Sequence, residues 1–120
     1  MLHQLEHKVT FTAHNELFVV DCDKVLYMKA DDHYTQVFYQ SGVRFLLPFG
    51  LSVIVDKLTK TFADGNFLLR VGRTYIINVH TIFHINTVKD VVVLADTRGN
   101  AHSVRLSKQA LCNLIEKIAG

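Results

Sequence analysis

The chain contains one proline, two cysteines and no tryptophan in 120 residues. So little proline, with only six glycines, excludes collagen-like and low-complexity classes. The cysteines, Cys22 and Cys112, lie far apart and form no C-x-x-C pair. With no export signal in view, both are read as reduced thiols. No apolar run approaches the ~18 residues that a membrane helix needs. The N-terminus, MLHQLEHKVTF, lacks the apolar stretch of a signal peptide. The expectation is a cytoplasmic protein with no membrane partner. Charge of one sign is not in large surplus either. Thirteen lysines and arginines face 11 acids, a formal net charge of +2, which excludes a uniformly basic surface.

What is present is a globular composition, 49% hydrophobic and 20% charged, too apolar for a disordered chain. Its length is usual for one domain and sufficient to bury a core without metal or disulfide. No linker or internal repeat interrupts it, so residues 1–120 are read as a single domain. The charges are unevenly spread. From Arg70 to Lys108 the basic residues Arg70, Arg73, Lys89, Arg98, Arg105 and Lys108 outnumber Asp90 and Asp96. A local basic excess is the minimal footprint of a phosphate-backbone partner.

Most of the sequence has strand rhythm. Val9–Thr12 and Leu17–Val20 flank a His14-Asn15 turn and read as a hairpin. Val25–Met28 is a continuous apolar run ended by Asp31-Asp32, and Tyr34–Tyr39 and Arg44–Leu47 flank a Ser41-Gly42 turn. Connections this short favour antiparallel neighbours. Leu51, Ile54, Val55 and Leu58 then fall on one face of a helix. Ser52 or the preceding glycine caps it, and it ends near Thr61, before Asp64-Gly65-Asn66. Strands resume at Phe67–Val71, Thr74–Val79, Ile82–Ile85, Val91–Ala95 and Ala101–Leu106. Ser107 caps a closing helix whose core face is Leu111, Leu114, Ile115 and Ile118. The fold class is mostly β, with about ten short, largely antiparallel strands, one mid-chain helix and one C-terminal helix.

Enzyme readings are weak. Asp31-Asp32-His33 gathers two carboxylates and an imidazole, but neighbours on an extended chain point to opposite faces. The plain reading is a solvated turn. His80 and His84 have the spacing of helical metal ligands. On a strand they stand roughly 13 Å apart, at about 3.3 Å per residue, too far for one ion. A small metal enzyme built on these histidines with Asp31 or Asp32 is the weakest hypothesis. No phosphate-binding glycine loop and no G-x-S-x-G are present. No cofactor and no catalytic residue are expected.

The segment Phe67–Asn78 (FLLRVGRTYIIN) is more informative. Arg70 and Arg73 face opposite ways in an ideal strand, but Gly72 permits a bend between them. An arginine on a loop can fork onto guanine O6 and N7 or onto a phosphate. Thr74 can donate to a phosphate. Asn78 follows an apolar run and is read as satisfying local backbone.

Four ordered stretches resemble the LytTR DNA-binding domain of bacterial response regulators. They are Asp23–Tyr34 (DKVLYMKADDHY), Gln40–Pro48 (QSGVRFLLP), Leu51–Leu58, and Arg70–Ile82 (RVGRTYIINVHTI). The last resembles the family signature R-x-H-R-S-Y-I-V-N-x-x-x-I. The resemblance covers about 23–118. Gly72 stands where the family usually has histidine, and Thr74 where it has serine. The family's terminal V-S-R is matched in either of two registers, with Arg105 or with Lys108 as the cation.

The resemblance implies sequence-specific binding of double-stranded DNA, at repeated operator sites, for transcription regulation. Loops rather than a recognition helix approach the DNA. His33 is the expected contact from Asp31–Tyr34, Arg73 the base reader from Gly72–Thr74, and Arg105 or Lys108 the contact at the end of the last strand. Lys29, Arg70 and Thr74 are expected phosphate contacts. A homodimer on DNA, and a receiver domain and sensor kinase upstream, are the implied partners. Residues 1–22 are too few for a receiver, so the chain is read as an excised output domain or a stand-alone regulator. The alternative is a protein-interaction module of the same fold without DNA readout.

Overall fold

Two strands of this chain carry adjacent, fully buried apolar residues, Val25-Leu26 and Ile76-Ile77, as a strand covered on both faces does. They are β3 (Val25–Asp31) and β7 (Tyr75–Asn78). In the computed structural model, which describes residues 7–119, they pair antiparallel at the centre of a five-stranded sheet ordered β5-β4-β3-β7-β6. Its other members are β4 (Tyr34–Tyr39), β5 (Arg44–Leu47) and β6 (Leu68–Val71). The N-terminal segment read as lacking a leader lies partly outside the described residues.

Alternation along these strands sends side chains to two separate cores. Met28, Val37, Leu47, Leu68 and Ile76 face the first. Its cover is helix α1 (Leu51–Thr61) and the hairpin of β1 (Lys8–Ala13) and β2 (Glu16–Asp21). Ile77, Val71 and Leu26 face the second. There the cover is a three-stranded sheet of β8 (Ile82–Asn86), β9 (Val91–Ala95) and β10 (Ala101–Arg105), with helix α2 (Lys108–Ala119). Alternation sends adjacent Val25 and Leu26 to different cores, and a register shift between Val25 and Tyr27 explains why Leu26 and Tyr27 both face the second core while Val25 and Met28 face the first. The inserted residue turns the strand over locally.

Every strand pair is antiparallel. The ten strands and two helices match the expected class. β3 runs on to Asp31, because its last residues still pair with β4. Gly50 rather than Ser52 is the N-cap of α1. The Ser107 hydroxyl accepts from the Ala110 N–H at 3.2 Å, capping α2. Of the expected core face of α2, Leu111 and Leu114 are buried and Ile115 packs partly buried on the same core, with Ala110 joining them, whereas Ile118 is 47% exposed. No helix of the described residues is long and apolar enough to cross a membrane.

Candidate nucleic-acid interface

The antiparallel pairing of β3 with β7 brings two turns to one rim. Lys29 pairs with Tyr75, and beyond it the Ala30 N–H donates to the Thr74 carbonyl at 2.7 Å. The turn after β3, holding Asp32 and His33, therefore stands beside the turn before β7, Gly72–Thr74. Both need backbone that ordinary residues avoid. Asp32 has φ 56° and Gly72 φ 67°. Aspartate tolerates that region through local hydrogen bonding, and glycine has no Cβ to clash. The start of α1 joins the rim too, since Gly50 lies against the His33 carbonyl.

The end of β10 reaches the same place from the other sheet. Gly72, Arg73 and Thr74 line one groove, about 200 Å³ in volume, with Arg105 and Ser107. Next to it sits the β8–β9 turn. Arg105 Nη1 donates to the Lys89 carbonyl at 3.2 Å. Lys108 Nζ donates to the Thr87 carbonyl at 3.1 Å and meets Asp90 Oδ1 at 2.9 Å. The Leu106 N–H donates to the Asp90 carbonyl at 3.0 Å. Sequence reasoning passed over this turn, whose Lys89 and Val88 are exposed. The signal available was Lys89-Asp90, a charged break between two apolar runs.

The cations differ in how tightly they are held. The Arg73 side chain has no hydrogen-bond or ion-pair partner among the described residues, so meeting a ligand costs it no existing contact. His33 is nearly fully exposed beside Asp32. Lys29 is exposed on β3, next to Tyr75. Arg70, by contrast, is engaged: Nη1 donates to Ser52 Oγ at 3.2 Å and Nη2 to the Arg73 carbonyl at 3.4 Å. It ties α1 to the turn that carries Arg73. Lys29, Arg70, Arg73, Lys89, Arg105 and Lys108 outnumber Asp31, Asp32 and Asp90 around the rim, so the local potential favours an anion.

Other marked residues fall elsewhere. Asn78 is buried, with Nδ2 donating to the Val25 carbonyl at 2.8 Å and Oδ1 accepting from the His80 N–H at 2.9 Å. It satisfies backbone, as its position after an apolar run implied. His80 stacks on Phe67, ring centroids 4.8 Å apart, at the far end of β7 from Asp31 and Asp32. The structure thus does not bring the metal-enzyme residues together. Among the described residues, no three His, Cys, Asp or Glu side chains are grouped to hold an ion.

The model of the LytTr DNA-binding domain family matches residues 15–119. Among solved structures, the fold is similar to the LytTr DNA-binding domain of a protein described as a methyl-accepting/DNA response regulator from Bacillus cereus. That match has a TM-score of 0.60 and 21% identity, over 95% of this chain and 97% of the other. No curated protein sequence matches. The family match spans nearly the whole described structure, including every turn of the basic rim, and the chain belongs to the LytTr DNA-binding domain family.

Proposed function

We propose that this domain reads the sequence of double-stranded DNA through the turns at its basic rim and so regulates transcription at repeated operator sites. The observation that carries the reading is the groove in which an unpartnered Arg73 faces Arg105 across the junction of two sheets. Arg73 and Arg105 have the reach and the forked donors for guanine O6 and N7. Their separation, Arg73 on the Gly72–Thr74 turn and Arg105 at the end of β10, lets them address different base pairs. His33 extends the rim on the β3 side. Thr74 and Lys29 fit phosphate contacts, which fix register without reading sequence. Arg70 acts chiefly by holding the Arg73 turn, and Lys108 by bracing the β8–β9 turn.

One domain reading few base pairs gains useful specificity by binding as two copies on repeated half-sites. A receiver domain under a sensor kinase is the controlling partner that membership of this family supports. The deciding experiment is selection of bound duplexes from a random pool by wild type and by Arg73→Ala. Wild type should enrich a repeated motif, and the variant should lose preference at one position of each half-site. Enrichment of no motif by wild type would remove the reading.

A further inference from the structure

The edge strand β6 borders two cavities that meet at Arg70. The larger, about 310 Å³, lies between the C-terminal half of α1 and the last turn of α2. Its apolar walls include Val55, Leu58, Phe62 and Ile76. The smaller, about 80 Å³, continues between β6 and α2 as far as Gly72. Arg70 and Lys117 line both.

The chemistry of this cleft is one-sided. The larger chamber is at the lower end of the ~300–1,000 Å³ range of small-molecule sites. No acid is among its lining residues, while two cations are. Lys117 has no hydrogen-bond or ion-pair partner among the described residues. Asn66 also lines the chamber. Its Oδ1 accepts from the Leu68 N–H at 3.2 Å, which leaves Nδ2 as a buried donor with no acceptor. A buried donor left unsatisfied is costly, and an incoming acceptor relieves that cost.

We propose that this cleft binds an organic anion, a carboxylate on an apolar body. The carboxylate sits between Arg70 and Lys117, and the body lies against α1. Binding also acts on the rim, a consequence that rests on the DNA-reading function proposed above. Arg70 is the side chain whose Nη2 holds the Arg73 carbonyl. A carboxylate that engages the guanidinium draws it from that carbonyl and from Ser52. The turn carrying Arg73 is then released, and duplex affinity falls. By linkage, duplex lowers affinity for the anion by the same factor.

The test uses sodium octanoate, titrated into the full chain at constant ionic strength and followed by nitrogen–proton NMR, with octanol as the neutral control. Saturable shifts of the Asn66 side-chain amide and the Gly72 backbone amide are expected, with octanoate about tenfold tighter than octanol. Lys117→Glu, on the exposed end of α2, should keep the wild-type spectrum and bind octanoate about fivefold or more weakly. Equal binding of octanoate and octanol, or undiminished binding by Lys117→Glu, would overturn the site. Ala63→Trp, at the chamber wall, offers an independent block by volume and should also weaken octanoate. Anisotropy of a labelled selected duplex reads the coupling. Saturating octanoate should weaken wild-type binding by about fivefold, and Lys117→Glu should need about fivefold more octanoate for the same effect. Unchanged duplex affinity with octanoate bound would overturn the coupling. Octanoate binding by a chain that selects no duplex would overturn the DNA reading alone.

Discussion

Arg70 holds the carbonyl of Arg73 through Nη2, at 3.4 Å, while its Nη1 holds Ser52 Oγ at the start of α1. Two arginines three positions apart are therefore held differently: Arg70 is tied down, and the Arg73 side chain has no partner among the described residues. Gly72, with φ 67°, makes the bend that separates them.

Arg73→Ala should cost about 1–3 kcal/mol of duplex affinity and relax preference at one base position. Arg70→Lys keeps the charge and loses the two-pronged contact. It should leave the salt dependence of binding unchanged, since counterion release follows the number of phosphates neutralised. Selectivity at the Arg73 position should weaken. Binding isotherms at several salt concentrations check both. A shallower salt slope for Arg70→Gln, which removes the charge as well, would make Arg70 a phosphate contact instead of a splint.

The ambiguity between Arg105 and Lys108 gives a second prediction. Lys108 is held by an ion pair with Asp90 and by the Thr87 carbonyl, whereas Arg105 makes one hydrogen bond, to the Lys89 carbonyl, and lines the groove with Arg73. Arg105→Ala should erase preference at a base position distinct from that of Arg73. Lys108→Ala should loosen the β8–β9 turn and lower affinity evenly across sequences. Selected-motif profiles for the two variants decide it. A base-specific loss in Lys108→Ala would reverse the assignment.

Much of this was legible because it was local. Tyr34–Tyr39, Arg44–Leu47 and Leu51–Thr61 have turn residues or a single helical face at both boundaries, and the structure places them there. The insertion of β7 between β3 and β6 was not legible, because it rests on long-range pairing of Met28 with Ile76. Nor was the exposure of Ile118, since helical periodicity cannot show where the covered surface stops. At the rim, the sequence placed His33 and Arg73 on turns and Arg105 at the end of the last strand, but nothing in it brought in Thr87–Asp90. That convergence depends on Leu106 pairing back to Asp90.

The thiols offer a third prediction. Cys22 is fully buried, and burial, with Asp21 and Asp23 adding to it, pushes its thiol up to about 12. Thiolate is the reactive form, so the native protein at pH 8 should react with iodoacetamide rapidly at Cys112, which is exposed. Cys22 should react only after denaturation. Mass spectrometry of the labelled peptides distinguishes them. Rapid native labelling of Cys22 would mean that the β1–β2 hairpin opens readily from the sheet.

The last prediction concerns acid. Asp96 is only 1% exposed in its side chain. The contact from His102 Nε2 at 2.8 Å, with donation from the Asn100 and Arg98 N–H groups, holds its carboxyl well below the usual carboxylate range, against the opposing effect of burial. A depressed value in the folded state means that Asp96 stabilises the fold fully above its unfolded value of about 4 and that this contribution shrinks progressively as pH falls from there toward the folded value. The loop it anchors carries Thr97, whose Oγ1 donates to the Gln40 carbonyl at 3.1 Å, so the anchor also fixes how the two sheets meet. Asp96→Asn keeps an acceptor for the backbone N–H groups and removes the charge. Its melting temperature should lie several degrees below wild type at pH 7, and the gap should begin to narrow as pH drops through 4 toward 3. A gap that stayed constant over that range would show that the loss is one of packing and not of charge. Because Arg105 stands at the end of β10, which this loop leads into, the same variant should bind duplex less selectively at pH 7 while Arg73-dependent preference persists.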